Sequence, residues 1–108
     1  MERRERERVV VLKCSGRMVL GANLATLRDA VIGVPDTRVL IDLEEVSIVD
    51  SAGLGELVGC AAVVRNRGGR LKLLKMPRRI SELVKMARLE TLFEMYESED
   101  AADDSFGT

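Results

Sequence analysis

The apolar run Val39-Leu40-Ile41 constrains the fold of this chain more than any other stretch of its sequence. It lacks the alternation of a half-exposed strand, which is typical of a strand covered on both faces in a parallel or mixed sheet. Further strand patterns at residues 9–12 and 71–74 alternate along the chain with segments of helical spacing. This alternation predicts an α/β fold in which helices pack against a mixed, mostly parallel sheet.

Periodicity and punctuation place the remaining elements. One helix is predicted between Asn23 and Gly33, and a second, from about residue 52 to 67, ends at Gly68-Gly69. Pro77 suits the first residue of a third helix, and residues 92–96 suit a last strand. The apolar stripe of the third helix is predicted to face inward through Ile80, Leu83, Val84 and Ala87.

The two ends of the chain are strongly charged. Residues 2–8 alternate in charge, which suits an exposed strand or a solvated edge. Residues 97–108 contain five acidic side chains and no basic one, and they end in Gly and Thr. We therefore assign a single domain to residues 2–100 and an acidic C-terminal tail, whose order the sequence leaves open, to residues 101–108.

The charge balance and the few aromatic residues bear on nucleic-acid binding. Seventeen basic and eighteen acidic side chains leave a formal net charge of −1, and the chain has one Tyr and two Phe. A nucleic-acid-binding protein needs a basic footprint for the phosphates, and aromatic side chains on which the bases of a single strand stack. We therefore expect no nucleic-acid partner.

Compartment and redox state follow from the apolar runs and the cysteines. No stretch approaches the ~18 continuous apolar residues of a membrane-spanning helix, and the apolar run at residues 9–12 is too short for a signal peptide. We therefore expect a cytoplasmic protein without a membrane span. Cys14 and Cys60 lie far apart and outside metal-ligand spacing, which favours two reduced thiols that fill core space.

The segment Val49-Asp50-Ser51-Ala52-Gly53-Leu54-Gly55 concentrates the unusual chemistry of the chain. It follows a predicted strand and opens a predicted helix, so Asp50 or Ser51 can accept a hydrogen bond from an unpaired backbone N–H of the first turn. A serine at this position is expected to be exposed beside the positive end of the helix, where a phosphate is stabilised. Ser51 is therefore a candidate phosphorylation site.

Catalytic and metal-binding roles are disfavoured for this segment. Serine hydrolases have a Gly two residues before the nucleophile, where this chain has Val49. The chain has no His to act as a general base, and no Lys lies near the motif. The nearby acidic residues match no calcium-loop spacing and are more typical of solvated charges: Asp42, Glu44, Glu45 and Asp50. We expect a protein that is not an enzyme and that holds no metal or cofactor.

Three glycines, Gly53, Gly55 and Gly59, lie near the start of the predicted second helix. In a helix interior each costs up to ~1 kcal/mol relative to alanine, so we expect another surface to approach the helix closely there. Their spacing matches neither the dinucleotide-binding fingerprint nor the phosphate-binding P-loop. The helix is apolar nearly all round, which leaves two alternatives: a small-residue patch that meets a protein partner, or burial between layers.

The strand at residues 39–43, a short acidic loop and the motif at residues 49–55 together resemble the signature of bacterial anti-sigma factor antagonists of the STAS-domain family. The resemblance continues through Ser15-Gly16-Arg17, Arg67-Gly68-Gly69 and residues 77–89, and so covers about residues 2–100. It implies a mixed sheet with helices packed against it. It also implies that Ser51 is phosphorylated by a partner that is both anti-sigma factor and serine kinase, and is dephosphorylated by a metal-dependent serine phosphatase.

The same resemblance implies a function. The unphosphorylated protein would bind the anti-sigma factor and so free a sigma factor, while ATP would be bound by the partner and not by this chain. Asp50, Gly53 and Leu54 match the family motif and take a positioning or contact role. The candidate partner-binding site comprises Asp50, Ser51, Ala52, Gly53, Leu54 and Glu56. The alternative is a STAS scaffold subunit of a stress-signalling or lipid-transport assembly without phospho-switching, because one fold serves several roles.

Overall fold

The structure is a computed structural model that describes residues 2–6, 9–22, 24–35 and 37–106. Within these residues, strands and helices alternate along most of the chain. In chain order the elements are β1 (Glu2–Arg6), β2 (Val9–Met18), α1 (Ala25–Gly33), β3 (Arg38–Val49), α2 (Ser51–Asn66), β4 (Arg70–Leu74), α3 (Arg78–Met86), β5 (Glu94–Tyr96) and α4 (Glu99–Ser105). This order confirms the predicted α/β class.

The sheet contains the strands in the order in which they occur in the sequence, from β1 at one edge to β5 at the other. β1 pairs with β2 in antiparallel orientation, and each later pair of neighbours is parallel. The parallel pairs are connected by α1, α2 and α3, as parallel strands require. The predicted mixed, mostly parallel sheet is therefore confirmed.

Both faces of the sheet are covered, which explains why the run at residues 39–41 does not alternate. Ile41 belongs to the larger core cluster, with Leu27 of α1, Leu57 of α2 and Val84 of α3. Leu40 points to the opposite face, into a smaller cluster that includes Ala102 of α4. Neither Leu40 nor Ile41 is exposed to solvent. Helices therefore lie on both sides of β3.

The third strand is longer than the sequence predicted. The acidic loop expected at Glu44 and Glu45 is wrong, because β3 runs without interruption to Val49. Its second half pairs with β2 through two register shifts, and Ser15 lies opposite Glu45. The two glutamates are exposed on this paired strand while Val46 and Val49 are buried. The exposed residues of this part of β3 are polar, which is why the sequence resembled a loop there.

Two boundaries of the third helix also differ from prediction. α3 begins at Arg78, so Pro77 is its N-cap and not its first residue. Ile80 and Val84 are buried as predicted, whereas Ala87 lies beyond the last residue of the helix and is exposed. None of the helices in the described parts of the chain is long and apolar enough to cross a bilayer.

The segment expected to be an acidic tail, residues 101–108, begins inside α4. The Ser98 hydroxyl caps this helix by accepting a hydrogen bond from the Ala101 N–H at 3.1 Å. Ala102 is fully buried against the second face of the sheet. The fold therefore extends through Phe106, because this face of the sheet needs a cover. Residues 107 and 108 lie outside the described residues.

Lys72 on β4 is fully buried beneath α4. Its ammonium donates a hydrogen bond to the Ser105 Oγ at 2.7 Å and lies 3.5 Å from the Glu94 carboxylate. The same nitrogen is 4.3 Å from the centre of the Phe106 ring and 5.6 Å from that of Tyr96. Buried charges are tolerated where such partners are supplied, so Lys72 fixes α4 on the sheet.

Cys14 and Cys60 are free and buried in the core, which confirms the prediction of two reduced thiols. Burial raises the pKa of Cys14 to about 11 and that of Cys60 to about 12. Because the thiolate is the reactive form, both side chains are inert at neutral pH and act as small apolar groups.

Candidate functional site

The motif at residues 49–55 forms the junction between β3 and α2. Asp50 is the N-cap of α2, with an extended backbone, and its Oδ1 accepts hydrogen bonds from the Ala52 N–H at 3.0 Å and the Gly53 N–H at 3.1 Å. Of the two residues that the sequence offered as caps, Asp50 therefore has this role. Ser51 becomes the first residue of the helix.

Asp50 also connects this junction to the end of β2. Its Oδ2 accepts a hydrogen bond from the Leu20 N–H at 2.9 Å, and its own N–H donates to the Met18 carbonyl at 3.2 Å. These donors, the Leu20 N–H first and the Gly53 N–H next, lower the pKa of the Asp50 carboxyl below its usual value. The carboxylate thus fixes the start of α2 relative to a distant loop.

Ser51 is exposed at the start of α2. Within the described part of the chain its hydroxyl has no hydrogen-bond partner. The hydroxyl is accessible to solvent at the positive end of the helix dipole.

The residues that follow Ser51 support the site from inside the fold. Ala52 is half-buried, and Gly53 and Leu54 are buried where α2 meets the sheet. A Cβ atom on Gly53 would collide with the Met18 carbonyl oxygen and lie 2.9 Å from the Val49 Cγ1. Gly53 and Leu54 therefore position the motif from inside the fold.

The other two glycines of α2 differ from each other. A Cβ on Gly59 would collide with the guanidinium of Arg28, a residue of α1 whose side chain lies against α2. Arg28 in turn forms an ion pair with Glu56 at 3.2 Å. At Gly55, by contrast, a Cβ would meet nothing within 4 Å. The expectation of close approach is therefore confirmed at Gly53 and Gly59 and is wrong at Gly55.

Packing accounts for most of the apolar surface of α2. Leu57, Cys60 and Val64 are buried, and Val58 and Ala61 are half-buried against the same core cluster. Of the two alternatives that the sequence left open, burial between layers therefore applies to most of the helix. Its exposed small residues include Gly55, near Ser51, and Ala62.

Glu56 holds α1 and α2 together rather than standing free at the surface. Its side chain is 21% exposed, and one of its carboxylate oxygens pairs with Arg28. In the described structure the other oxygen, Oε2, and the Arg28 Nε are buried without a hydrogen-bond partner. No sequence pattern pointed to Arg28, because its contact with Glu56 depends on how the two helices pack.

The acidic residues before the motif lie on β3 and have different surroundings, so they do not form a cluster. Asp42 is buried and accepts a hydrogen bond from the Glu44 N–H at 2.9 Å, while Glu45 pairs with Lys13 at 3.7 Å. Among the residues described, no group of three or more potential ligands is placed to hold a metal ion.

Large apolar side chains that the sequence did not single out lie exposed near the motif. Leu20, whose N–H is bound by Asp50, is 82% exposed, and Ile48, three residues before Ser51, is 41% exposed. Met86 at the end of α3 is 81% exposed and shares a groove with Ile48. Large apolar residues are usually expected in a core, so only the fold reveals these three as surface.

Replacing Asp50 with asparagine is expected to lower stability at neutral pH and to do so less in acid. The folded state holds the pKa of this carboxyl below its unfolded value, so its stabilising effect is present above about pH 4 and is lost as the pH falls through the folded pKa. Urea unfolding of wild type and Asp50→Asn at neutral and acidic pH measures this.

The exposed Asp29 on α1 supplies the control for the Asp50 experiment, as Asp29→Asn. The Asp29 exchange removes the same charge from the surface without removing a cap or the bond to Leu20. A difference between wild type and Asp50→Asn that stays constant with pH would contradict the role given to the Asp50 carboxylate.

The family model of the STAS domain matches residues 1–102 of this chain. Solved structures share its fold at low sequence identity. A candidate anti-sigma factor antagonist from Thermotoga maritima has a TM-score of 0.85 and 17% identity, and the match covers 96% of this chain and 92% of that one.

Two further structural relatives are the anti-sigma factor antagonist SpoIIAA and a domain of a transporter. SpoIIAA, a Bacillus cell fate determinant, matches at 20% identity in both its forms: unphosphorylated, with a TM-score of 0.74 over 99% of this chain and 98% of that one, and phosphorylated, with 0.73 over 97% of each. The STAS domain of a SulP transporter from Vibrio cholerae has a TM-score of 0.75 and 17% identity over 95% of this chain and 84% of that one. At these identities the likeness establishes the fold.

Proposed function

Because this chain belongs to the STAS-domain family, we propose that it is an anti-sigma factor antagonist whose binding is switched by phosphorylation. In its unphosphorylated form it binds an anti-sigma factor that is also a serine kinase, and so releases a sigma factor. Phosphorylation of Ser51 ends that binding, and a serine phosphatase restores it. All of these proteins act in the cytoplasm, where the sigma factor works.

The exposed Ser51 hydroxyl is the observation that carries this proposal. It lies at the first position of α2, and Asp50 beside it already satisfies the cap, so modification of Ser51 does not remove the hydrogen bonds that begin the helix. The partial positive charge of the helix start stabilises a phosphate placed there. A kinase therefore has access to a site that tolerates its product.

The chemistry of the site supports a phosphate acceptor and not a catalyst. Ser51 has no base within hydrogen-bonding distance in the described structure, and the chain contains no His. Phosphate transfer therefore requires a partner that binds ATP and supplies the catalytic groups. In this proposal the protein is a binding module and a substrate.

A scaffold subunit of a stress-signalling or lipid-transport assembly, without a phospho-switch, is the alternative for this chain. The transporter STAS domain of Vibrio cholerae shares the architecture, so the fold does not separate a switch from a scaffold subunit. The accessible serine at the start of α2 is what favours the switch, because a scaffold has no need of one there.

Incubation with ATP and an anti-sigma factor of the serine-kinase type is expected to place one phosphate on Ser51. Mass spectrometry of the digested protein locates the phosphate, and Ser51→Ala is expected to abolish it. Ser47→Ala is the matched control: Ser47 is also exposed and lies four residues away, on β3, but its hydroxyl donates to the Gly16 carbonyl at 3.1 Å.

The alternatives give different results in the same assay. A phosphate on Ser47, or on neither serine although the kinase binds, favours the scaffold subunit. An esterase activity that Ser51→Ala abolishes would show that the protein is an enzyme after all.

A further inference from the structure

A groove between the end of β3 and α3 opens beside the phosphorylation motif. It has a volume of about 350 Å³. One side is formed by Ile48 and Val49, which lead directly into Asp50 and Ser51. The residues that line it are Ile48, Val49, Arg79, Ile80, Glu82, Leu83 and Met86. We refer to it as the α3 groove.

Several side chains that line the α3 groove are large and apolar and yet are exposed to solvent. Arg79, Leu83 and Met86 follow one another at i, i+4 and i+7, so they lie on one face of α3. Met86 is 81% exposed and Ile48 is 41% exposed, although both are large and apolar. Ile80 beneath them is 2% exposed and closes the floor. Exposed apolar residues that adjoin in this way are typical of a protein-binding surface.

The charges beside the groove are mainly positive. The exposed charged residues of α3 and of the turn that follows it are Arg78, Arg79, Glu82, Lys85 and Arg88. The single acid among them, Glu82, pairs with Arg78 at 3.3 Å. In the part of the chain that the structure describes, Arg79 and Lys85 have no ion-pair partner within 4 Å. The rim thus has cationic charge that is not neutralised by the protein itself.

We propose that the α3 groove receives an apolar side chain from an acidic segment of the anti-sigma factor bound by the same protein. The apolar side chain contacts Ile48, Leu83 and Met86, and neighbouring carboxylates pair with Arg79 and the basic rim. This inference rests on the proposed function, since it names the chemistry of that partner and where it docks.

The position of the groove connects partner binding to phosphorylation. A phosphoserine at residue 51 adds about −1.5 to −2 charges within three residues of Ile48. An acidic segment in the groove is repelled by this charge, whereas a basic one would be attracted. An acidic partner is therefore the one that phosphorylation releases.

Two exposed positions of the groove test the docking surface. Met86→Glu places a carboxylate against the apolar side chain of the partner, and Arg79→Glu reverses the rim charge. Each is expected to weaken binding of an anti-sigma factor of the serine-kinase type by at least about tenfold, measured by isothermal titration calorimetry. Both positions are exposed, so both variants are expected to keep the wild-type fold. Circular dichroism and thermal melting check this.

Matched controls lie outside the α3 groove. Ile32→Glu makes the same kind of exchange at an apolar residue of α1 that is 58% exposed, and Arg65→Glu reverses an exposed charge in the last turn of α2 that does not line the groove. Both are expected to bind within about threefold of wild type at physiological salt, where distant charges are screened. Equal losses in the controls and the groove variants would overturn the proposal.

The outcomes separate this inference from the proposed function. If the kinase phosphorylates Ser51 and binds wild type, but Met86→Glu and Arg79→Glu bind as tightly, the groove is not the docking surface and the proposed function stands. If no kinase modifies Ser51, a synthetic amphipathic peptide of Leu and Glu is used in its place, with a Leu and Lys peptide as control. Methyl NMR shifts at Ile48, Leu83 and Met86 with the acidic peptide alone support the groove, and their absence overturns it.

Discussion

Replacement of Gly53 with alanine is expected to lower the free energy of unfolding by about 2–3 kcal/mol, a large effect for one methyl group. The added Cβ would meet the Met18 carbonyl oxygen and come within 2.9 Å of the Val49 Cγ1. The carbonyl cannot turn away freely, because it accepts the hydrogen bond of the Asp50 N–H. The first turn of α2 must therefore move away from the sheet. Urea unfolding followed by circular dichroism measures the loss.

Gly55 is the matched control for Gly53, two residues later in the same helix. A Cβ at Gly55 meets nothing within 4 Å, so Gly55→Ala is expected to raise the free energy of unfolding by up to ~1 kcal/mol through helix propensity alone. The two exchanges add the same atoms and have opposite expected signs. Equal effects would show that helix propensity, and not the contact with β2, decides the cost at Gly53.

Much of the fold was accessible to sequence reasoning because its elements are strongly patterned. The unbroken apolar run at residues 39–41 implied two covered faces, and Leu40 and Ile41 indeed enter different clusters. Gly68-Gly69 marked the end of α2 within one residue. These signals depend on local periodicity and on backbone preference, and both can be read without knowing what packs where.

The errors arise where contacts distant in sequence decide the structure. Glu44 and Glu45 have the polarity of a loop, but pairing with β2 keeps them in a strand. The sequence also left open whether the acidic tail at residues 101–108 is ordered, and in the structure the buried Lys72 supplies a partner for Ser105 of α4. Neither outcome follows from local propensity, because tertiary pairing overrides it.

The candidate site divides in the same way. The motif alone indicated a capped helix start with an accessible serine, and the structure places Ser51 accordingly. It did not indicate that Asp50 binds the Leu20 N–H, thirty residues earlier in the chain, or that Arg28 covers Gly59. The α3 groove also went unnoticed, since Met86 continues an apolar helical pattern that elsewhere is buried.

Phosphorylation of Ser51 is expected to weaken binding of the anti-sigma factor by about a hundredfold or more, which corresponds to about 3 kcal/mol. The unmodified hydroxyl is neutral and is desolvated at small cost when it finds a hydrogen bond. The phosphate adds about −1.5 to −2 charges beside the Asp50 carboxylate, and an apolar or acidic partner offers no cation to compensate for its desolvation. Titration calorimetry of the enzymatically phosphorylated protein against the unmodified one measures the change.

Variants of Ser51 and Ser47 separate charge from the loss of the hydroxyl. Ser51→Ala is expected to bind within about threefold of wild type, because a missing hydroxyl leaves no buried charge. Ser51→Asp adds a single charge and is expected to give an intermediate loss, whereas Ser47→Asp places the same charge on β3 and tests whether any nearby acid suffices. Binding that is equally tight before and after phosphorylation would exclude electrostatic release. A loss as large in Ser51→Ala would instead indicate that the hydroxyl itself is a required contact, and that the switch removes a hydrogen bond and not only adds a charge.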